Sequence, residues 1–161
     1  MNKTKHQLKD STTTRKLQNT IVLCSIIFTI GTTIHNFVII NPPLIETMMQ
    51  MAGVTDPSVE ALEFTFGFRI VGCLYIIGNT LGVLALNSRS RILWWIILLV
   101  NITQATGPIM IPSSMWTVVN DVYGVLGILP SAITDGGAII LSLVMILSMA
   151  KYRTTWAQRP S

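Results

Sequence analysis

The chain has 161 residues, of which 50% are hydrophobic and 11% are charged, and its mean hydropathy is +0.59. Soluble domains carry about 25% charged residues, so this composition excludes a soluble globular protein and indicates a membrane protein. The formal net charge is +4, but the basic residues lie in clusters beside the apolar segments. This placement favours lipid headgroups over nucleic acid as the acidic partner.

Four apolar segments are long enough to cross a hydrocarbon core of ~30 Å, which takes roughly 20 residues. Ten of the eleven Lys and Arg residues lie before the first span, between the second and third, or after the fourth. By the positive-inside rule, we expect both termini in the cytoplasm and a multi-pass protein of the plasma membrane. The sequence therefore predicts an all-α, integral membrane four-helix bundle with spans at about 17–40, 61–86, 92–111 and 131–150.

The N-terminal segment 1–16 is polar, basic and rich in Thr. It has too few apolar side chains to order itself, so we expect a disordered cytoplasmic tail. A second short cytoplasmic tail is expected at 151–161, and the single membrane domain is then 17–150. The first span lacks the small-residue cleavage site of a signal peptide, so we expect it to be retained as an anchor.

The second span contains Arg69, its only basic residue, well inside the apolar pattern. An ionisable group at such a depth requires a partner, so the other spans are expected to gather around this one. Gly78 and Gly82 form a small-xxx-small pair nearly opposite Arg69 and are predicted to be helix-packing residues. They serve either a contact within the bundle or a dimer interface.

The stretch RIVGCLYIIGNTLGVL places glycines one to two turns apart after an arginine, in a four-span protein of this length. In this it resembles the DoxX-like group of small membrane proteins. The arginine lies on the second span here and on the first span in that group, so no functional residue is transferred. The resemblance implies a compact four-helix bundle.

The connection NSRSR is short, so the second and third spans are predicted to be antiparallel neighbours. Pro108 is predicted to kink the third span near its outer end. The segment 114–129 is apolar with one polar stripe, which favours a short extracytoplasmic interfacial helix. A fifth span is the alternative, but it would place the last basic cluster outside. Pro130 is expected to open the fourth span.

Four polar side chains fall at a similar depth when residues are counted at 1.5 Å each from the outer ends of the spans. They lie roughly 5–10 Å below the outer boundary, and they are His35, Arg69, Gln104 and Asp135. An ion pair between Arg69 and Asp135 is predicted, with Glu63 as a second possible partner of the arginine. Asn101 lies deeper and is a further candidate for this polar layer or for hydrogen bonds between helices. The layer is either a ligand pocket or a structural clamp.

The sequence contains no nucleotide-binding loop, no zinc-protease motif and no EF-hand, so we expect neither a metal nor a cofactor. The preferred interpretation is that the protein binds, passes or senses a small or lipid-like ligand in an outward-facing polar pocket. This pocket is roofed by the Met-rich connection and the interfacial helix. A non-enzymatic accessory subunit is the alternative. A membrane enzyme that acts on a lipid or isoprenoid, with His35 and Asp135 as acid and base, is the third. The expected partners are the lipid bilayer and a second copy or a larger membrane complex, not nucleic acid.

Overall fold

The computed structural model describes residues 8–160, and the regular secondary structure of this part of the chain is helical apart from one pair of two-residue strands. Two long helices end in turns of another helical type. A π-helical turn at His35–Ile39 follows the helix Thr12–Ile34, and a 3-10 turn at Gly82–Leu86 follows the helix Pro57–Leu81. The elements are β1 (Leu8–Lys9), α1 (Thr12–Ile34), α2 (Pro42–Met51), α3 (Pro57–Leu81), α4 (Arg91–Gln104), α5 (Gly107–Met110), α6 (Ser113–Tyr123), α7 (Val125–Tyr152) and β2 (Arg159–Pro160).

Four helical segments of the described chain are long and apolar enough to cross a membrane. They confirm the prediction of a helical chain with four candidate spans, which are identified by their length and hydropathy. Large apolar side chains cover their outer surfaces; Leu74, for example, is 64% exposed. The four segments are Thr12–Ile39, Pro57–Leu86, Arg91–Met110 and Val125–Tyr152.

The four long helices form a ring in which α1 and α4 each pack against both α3 and α7. The short helices α2 and α6 pack on each other, and they cover the end of the bundle opposite the termini. One apolar core lies between the long helices, around Ile21, Trp94 and Met145. A second core lies beneath α2 and α6, around Ile45 and Val118.

The N-terminal segment is ordered over more of its length than the sequence predicts. The first helix begins at Thr12 and not near residue 17, because Ser11 and Thr14 form a capping box at its start. Only residues 1–7 of the predicted disordered tail lie outside the described part of the chain.

The C-terminal segment is likewise not a free tail, because it folds back onto the start of α1 and the α3–α4 connection. β2 pairs with β1 in antiparallel register. The Thr14 hydroxyl donates to the carbonyl of Ala157 at 3.1 Å. The indole of Trp156 is fully buried and donates to the carbonyl of Ser90 at 3.1 Å. We call this group of contacts the terminal clasp.

The last long helix begins at Val125, and the expectation that Pro130 opens it is wrong. Gly124, with a φ of 63°, reverses the chain after α6, so α7 starts immediately behind it. Pro130 lies inside α7, where it removes one backbone hydrogen bond. The predicted interfacial segment 114–129 is thus divided between α6 and the first turns of α7.

The third span is broken near Pro108, as predicted. α4 ends at Gln104, two residues turn, and α5 carries Pro108 in its first turn. Near the termini the seam between α3 and α4 is closed, because a Cβ atom at Gly78 would lie only 2.8 Å from Val100. Beyond Gln104 the chain diverges from α3, and the seam opens.

Candidate functional site

A cavity of about 540 Å³ occupies the open part of this seam. Its volume falls in the range of small-molecule pockets, about 300–1,000 Å³. One wall is formed by α3, the facing wall by the chain from α4 to α6, and the inner end by α1 and α7. The lining residues that the argument uses are His35, Phe64, Gly67, Phe68, Gln104 and Asp135.

The two walls are mainly apolar and aromatic. Phe64 and Phe68 stack on each other along α3, with 6.2 Å between their ring centroids. At the rim, Val71 is 52% exposed and Met110 is 76% exposed, and both line the cavity. The cavity therefore opens sideways, onto the apolar outer surface of the bundle between α3 and α5.

Asp135 lies at the inner end of the cavity and is 8% exposed. The hydroxyl of Ser131, one turn earlier on α7, donates to its Oδ2 atom at 2.5 Å, and the hydroxyl of Thr134 donates to Oδ1 at 3.1 Å. A Cβ atom at Gly107 would lie 2.8 Å from Oδ2, so only a glycine lets α5 approach the carboxylate this closely. No basic side chain of the described residues lies within 4.0 Å of this carboxylate.

His35 also lies at the inner end, on the π-helical turn that continues α1. Such turns are frequent at functional sites, because the extra residue redirects the side chains around it. The imidazole is 8% exposed and meets the ring of Phe68 edge-on, at 5.8 Å between centroids. It makes no hydrogen bond to another described residue, so its nitrogen atoms remain available to a ligand.

Gln104 belongs to a chain of buried hydrogen bonds that joins three helices beneath the cavity. The Asn79 amide donates to the Gln104 carbonyl at 2.9 Å, and the Gln104 amide donates to the Thr32 hydroxyl at 3.2 Å. Asn101 is buried but does not line the cavity, and its amide donates to the carbonyl of Ile97 on its own helix. These amides connect helices or satisfy backbone groups.

Arg69 does not line the cavity, and the predicted ion pair with Asp135 is wrong. The guanidinium lies over the ring of Phe37, with 5.9 Å from Cζ to the centroid. The one salt bridge among the described residues joins Arg89 and Asp10. Glu63, the second expected partner, is exposed, forms no salt bridge and does not line the cavity either.

The rotation of α3 explains this difference. Successive residues turn by about 100° around a helix axis, so Arg69 projects well away from the face that carries Phe64, Phe68 and Tyr75. Equal depth in a membrane does not imply an equal direction. The arginine accordingly faces the side of α3 on which Phe37 lies.

Gly78 and Gly82 both lie at helix contacts within the bundle, but with different partners. Gly78 packs against Val100 of α4, and a Cβ atom at Gly82 would overlap the Ser25 side chain of α1. The small-xxx-small pair thus lets α3 and the turn after it approach two helices.

The apolar lining is not among the predicted site residues, because the sequence argument rests on the depth of polar side chains. Phe64, Phe68 and Tyr75 recur at spacings of four and seven residues, which places them on one face of α3. This aromatic stripe was the available signal. The roof also differs, because Met115 of α6 lines the cavity whereas no residue of α2 does.

No protein-family model matches the chain, and neither a curated protein nor a solved structure matches it. The resemblance to the DoxX-like group stays a prediction. Fold and site together define a helical protein with four candidate spans and a cavity that opens on the side of the bundle.

Proposed function

We propose that this is a plasma-membrane protein that binds a small, lipid-like ligand in the cavity between α3 and α5, and that transports or senses this ligand. The observation that carries the proposal is the sideways opening of a mainly apolar cavity whose inner end is polar. A molecule dissolved in the hydrocarbon layer reaches such an opening without passing through water. Its polar group then meets His35 and Asp135, while its apolar part contacts Phe64 and Phe68.

The distribution of charge supports an orientation with both termini in the cytoplasm. Eight basic residues lie at the end of the bundle that carries the clasp, and the opposite end is acidic, with Glu46, Asp56 and Asp121. The positive-inside rule assigns the basic end to the cytoplasm. In this orientation α6 lies at the outer interface and the cavity is in the outer half of the bilayer. The eight basic residues are Lys9, Arg15, Lys16, Arg89, Arg91, Lys151, Arg153 and Arg159.

A structural or accessory role is the second candidate. The hydrogen bonds that join Asn79, Gln104 and Thr32 favour it, because such bonds fix the packing of helices in a membrane. In this role the protein assembles with a second copy or with other membrane proteins. The enzymatic alternative has less support, since no hydrogen bond links His35 with Asp135 in the described structure.

Two glycines provide a matched test of ligand binding. Gly67 and Gly136 are both helical, and a Cβ atom at either would meet no other atom within 4 Å. Gly67 lines the cavity, whereas Gly136 does not. Gly67→Phe therefore fills the opening of the cavity, and Gly136→Phe adds the same side chain elsewhere on the bundle.

The measurement is native mass spectrometry of the protein purified in dodecyl maltoside, which records the amphiphile that stays bound. The wild-type protein and Gly136→Phe should retain the same molecule. Gly67→Phe should retain roughly tenfold less, which corresponds to a loss of about 1.4 kcal/mol in binding. Equal retention by Gly67→Phe, or no bound molecule on the wild-type protein, would contradict ligand binding and favour the accessory role.

A further inference from the structure

We propose that the cavity selects an amphiphile with a cationic, hydrogen-bond-donating head, such as a primary ammonium, and that Asp135 is the residue that recognises it. This inference rests on the proposed binding function and specifies the chemistry of the ligand. It follows from the charges and hydrogen bonds at the inner end of the cavity.

The first argument is the sign of the charge. Among the residues that the structure describes, Asp135 is the only acidic side chain that lines the cavity, and no Lys or Arg lines it. Arg69, the partner that the sequence predicts, is turned toward Phe37. A carboxylate inside a membrane protein is commonly paired with an opposite charge. Residues 8–160 supply none within 4.0 Å, so a cationic ligand would complete the pair.

The second argument is the remaining hydrogen-bonding capacity. An ionised carboxylate accepts about four hydrogen bonds. The hydroxyls of Ser131 and Thr134 provide two, and the side chain of Gln104 lies close to the same carboxylate, so part of this capacity is left for a ligand. The unbonded imidazole of His35 lines the same cavity and adds a further acceptor in its neutral form. An ammonium group with three N–H donors satisfies such acceptors, whereas an anionic head would place like charges together in a site with little water.

The third argument is the shape of the remaining space. The stacked rings of Phe64 and Phe68 and the exposed side chain of Met110 line the path from the polar end to the outer surface. An alkyl chain fits along this path and emerges among other apolar chains. Aromatic faces near the inner end also attract cations. The cavity therefore suits a single-chain amine better than a soluble polar solute.

The test compares dodecylamine, dodecanol and dodecanoic acid, which share one alkyl chain and differ only in their heads. Each is added at the same concentration and at neutral pH to the purified protein in dodecyl maltoside. The melting temperature is followed by tryptophan fluorescence. The amine is a cation under these conditions. It should raise the melting temperature roughly twice as much as the alcohol, and the acid should give no rise.

Two variants that each remove one negative charge test whether Asp135 causes the difference between amine and alcohol. Asp135→Asn should abolish the difference between amine and alcohol, because the neutral amide cannot pair with the ammonium. Asp121→Asn removes the same charge from an exposed position on α6. In this variant the amine should still raise the melting temperature more than the alcohol, and the acid should still give no rise. If Asp135→Asn fails to fold, the rises in melting temperature that the three probes cause in the wild-type protein still decide between cationic and anionic selectivity.

The outcomes separate this inference from the proposed function. If the acid stabilises as much as the amine, or if the preference for the amine survives in Asp135→Asn, the cavity binds amphiphiles without the proposed selectivity and the inference is overturned. If none of the three probes stabilises the wild-type protein, both the inference and the proposed binding function are overturned.

Discussion

Asp135 shows how a carboxylate can be accommodated inside an apolar helix without a basic partner in the described part of the chain. Ser131 and Thr134 are both on α7, so this helix alone provides two hydroxyl donors for the carboxylate. Arg69 is accommodated differently, because the ring of Phe37 lies beneath its guanidinium. The two groups therefore have separate surroundings, and no salt bridge joins them.

A double-mutant cycle on Arg69 and Asp135 tests this independence. We expect the changes in unfolding free energy for Arg69→Leu and Asp135→Leu to add within about 0.3–0.5 kcal/mol, since the two residues share no partner. The measurement is reversible unfolding in detergent of the two single variants and the double variant.

The matched control is the buried pair Asn79 and Gln104, which are joined directly at 2.9 Å. Replacing both by Leu should show a coupling of about 0.5–3 kcal/mol. A comparable coupling between Arg69 and Asp135 would contradict the arrangement described above.

At the scale of the element, one side of α3 makes a closed helix contact along one part of its length and lines the cavity along another part. Toward the termini, Gly78 lets Val100 of α4 pack against the helix backbone. Toward the other end, the same side of α3 carries Phe64 and Phe68, and no residue of α4 fills the space beside them. The cavity exists because α4 ends at Gln104 and α5 takes a different direction.

Substitution of the two glycines on this side of α3 should have opposite effects on stability. Gly67→Ala should stabilise the protein by about 0.5–1 kcal/mol, because alanine favours a helix and the space at this position is open. Gly78→Ala should destabilise it by about 1–3 kcal/mol, because the new methyl group would overlap Val100. Thermal unfolding in detergent measures both.

Val100→Ala provides the control for the second substitution. It removes the methyl groups that a Cβ atom at Gly78 would meet, so the double variant should lose less stability than the sum of the single variants. If Gly78→Ala is as stable as Gly67→Ala, the closed seam is not as tight as described.

The existence of the long helices could be predicted from the sequence, whereas several of their ends could not. Hydropathy and length identify an apolar span regardless of its neighbours. The start of α1 depends on the side chains of Ser11 and Thr14, and the start of α7 depends on the positive φ of Gly124. These local features override the composition of the flanking sequence.

The candidate site was predictable to the extent that depth determines it. His35, Gln104 and Asp135 line the cavity as their common depth suggested, but Arg69 does not. Which side chains meet also depends on the rotation of each helix about its axis, and depth carries no information about that rotation. The wall of Phe64 and Phe68 follows from the same rotation.

For the whole molecule, the proposed orientation predicts which positions are accessible from each side of the membrane. Single cysteines at Ser88, Thr55 and Asn120, in a chain without Cys24 and Cys73, can be labelled with a membrane-impermeant maleimide on intact cells. We expect Thr55 and Asn120 to react, because they lie at the acidic end of the bundle. Ser88 should react only after the cells are opened. Labelling of Ser88 on intact cells, or protection of Asn120, would contradict the orientation.

The terminal clasp has a consequence for the order of events during synthesis. The hydroxyl of Thr14 bonds to a carbonyl 143 positions later in the chain, so the start of α1 stays without this partner until α7 and the segment after it have left the ribosome. In the proposed orientation, closure also requires that α7 end on the side of the membrane where α1 begins, and this holds only for an even number of crossings. A chain in which one helix fails to insert leaves the indole of Trp156 without its buried site. A closed clasp thus excludes an odd number of crossings, such as the three that remain when a single helix fails to insert.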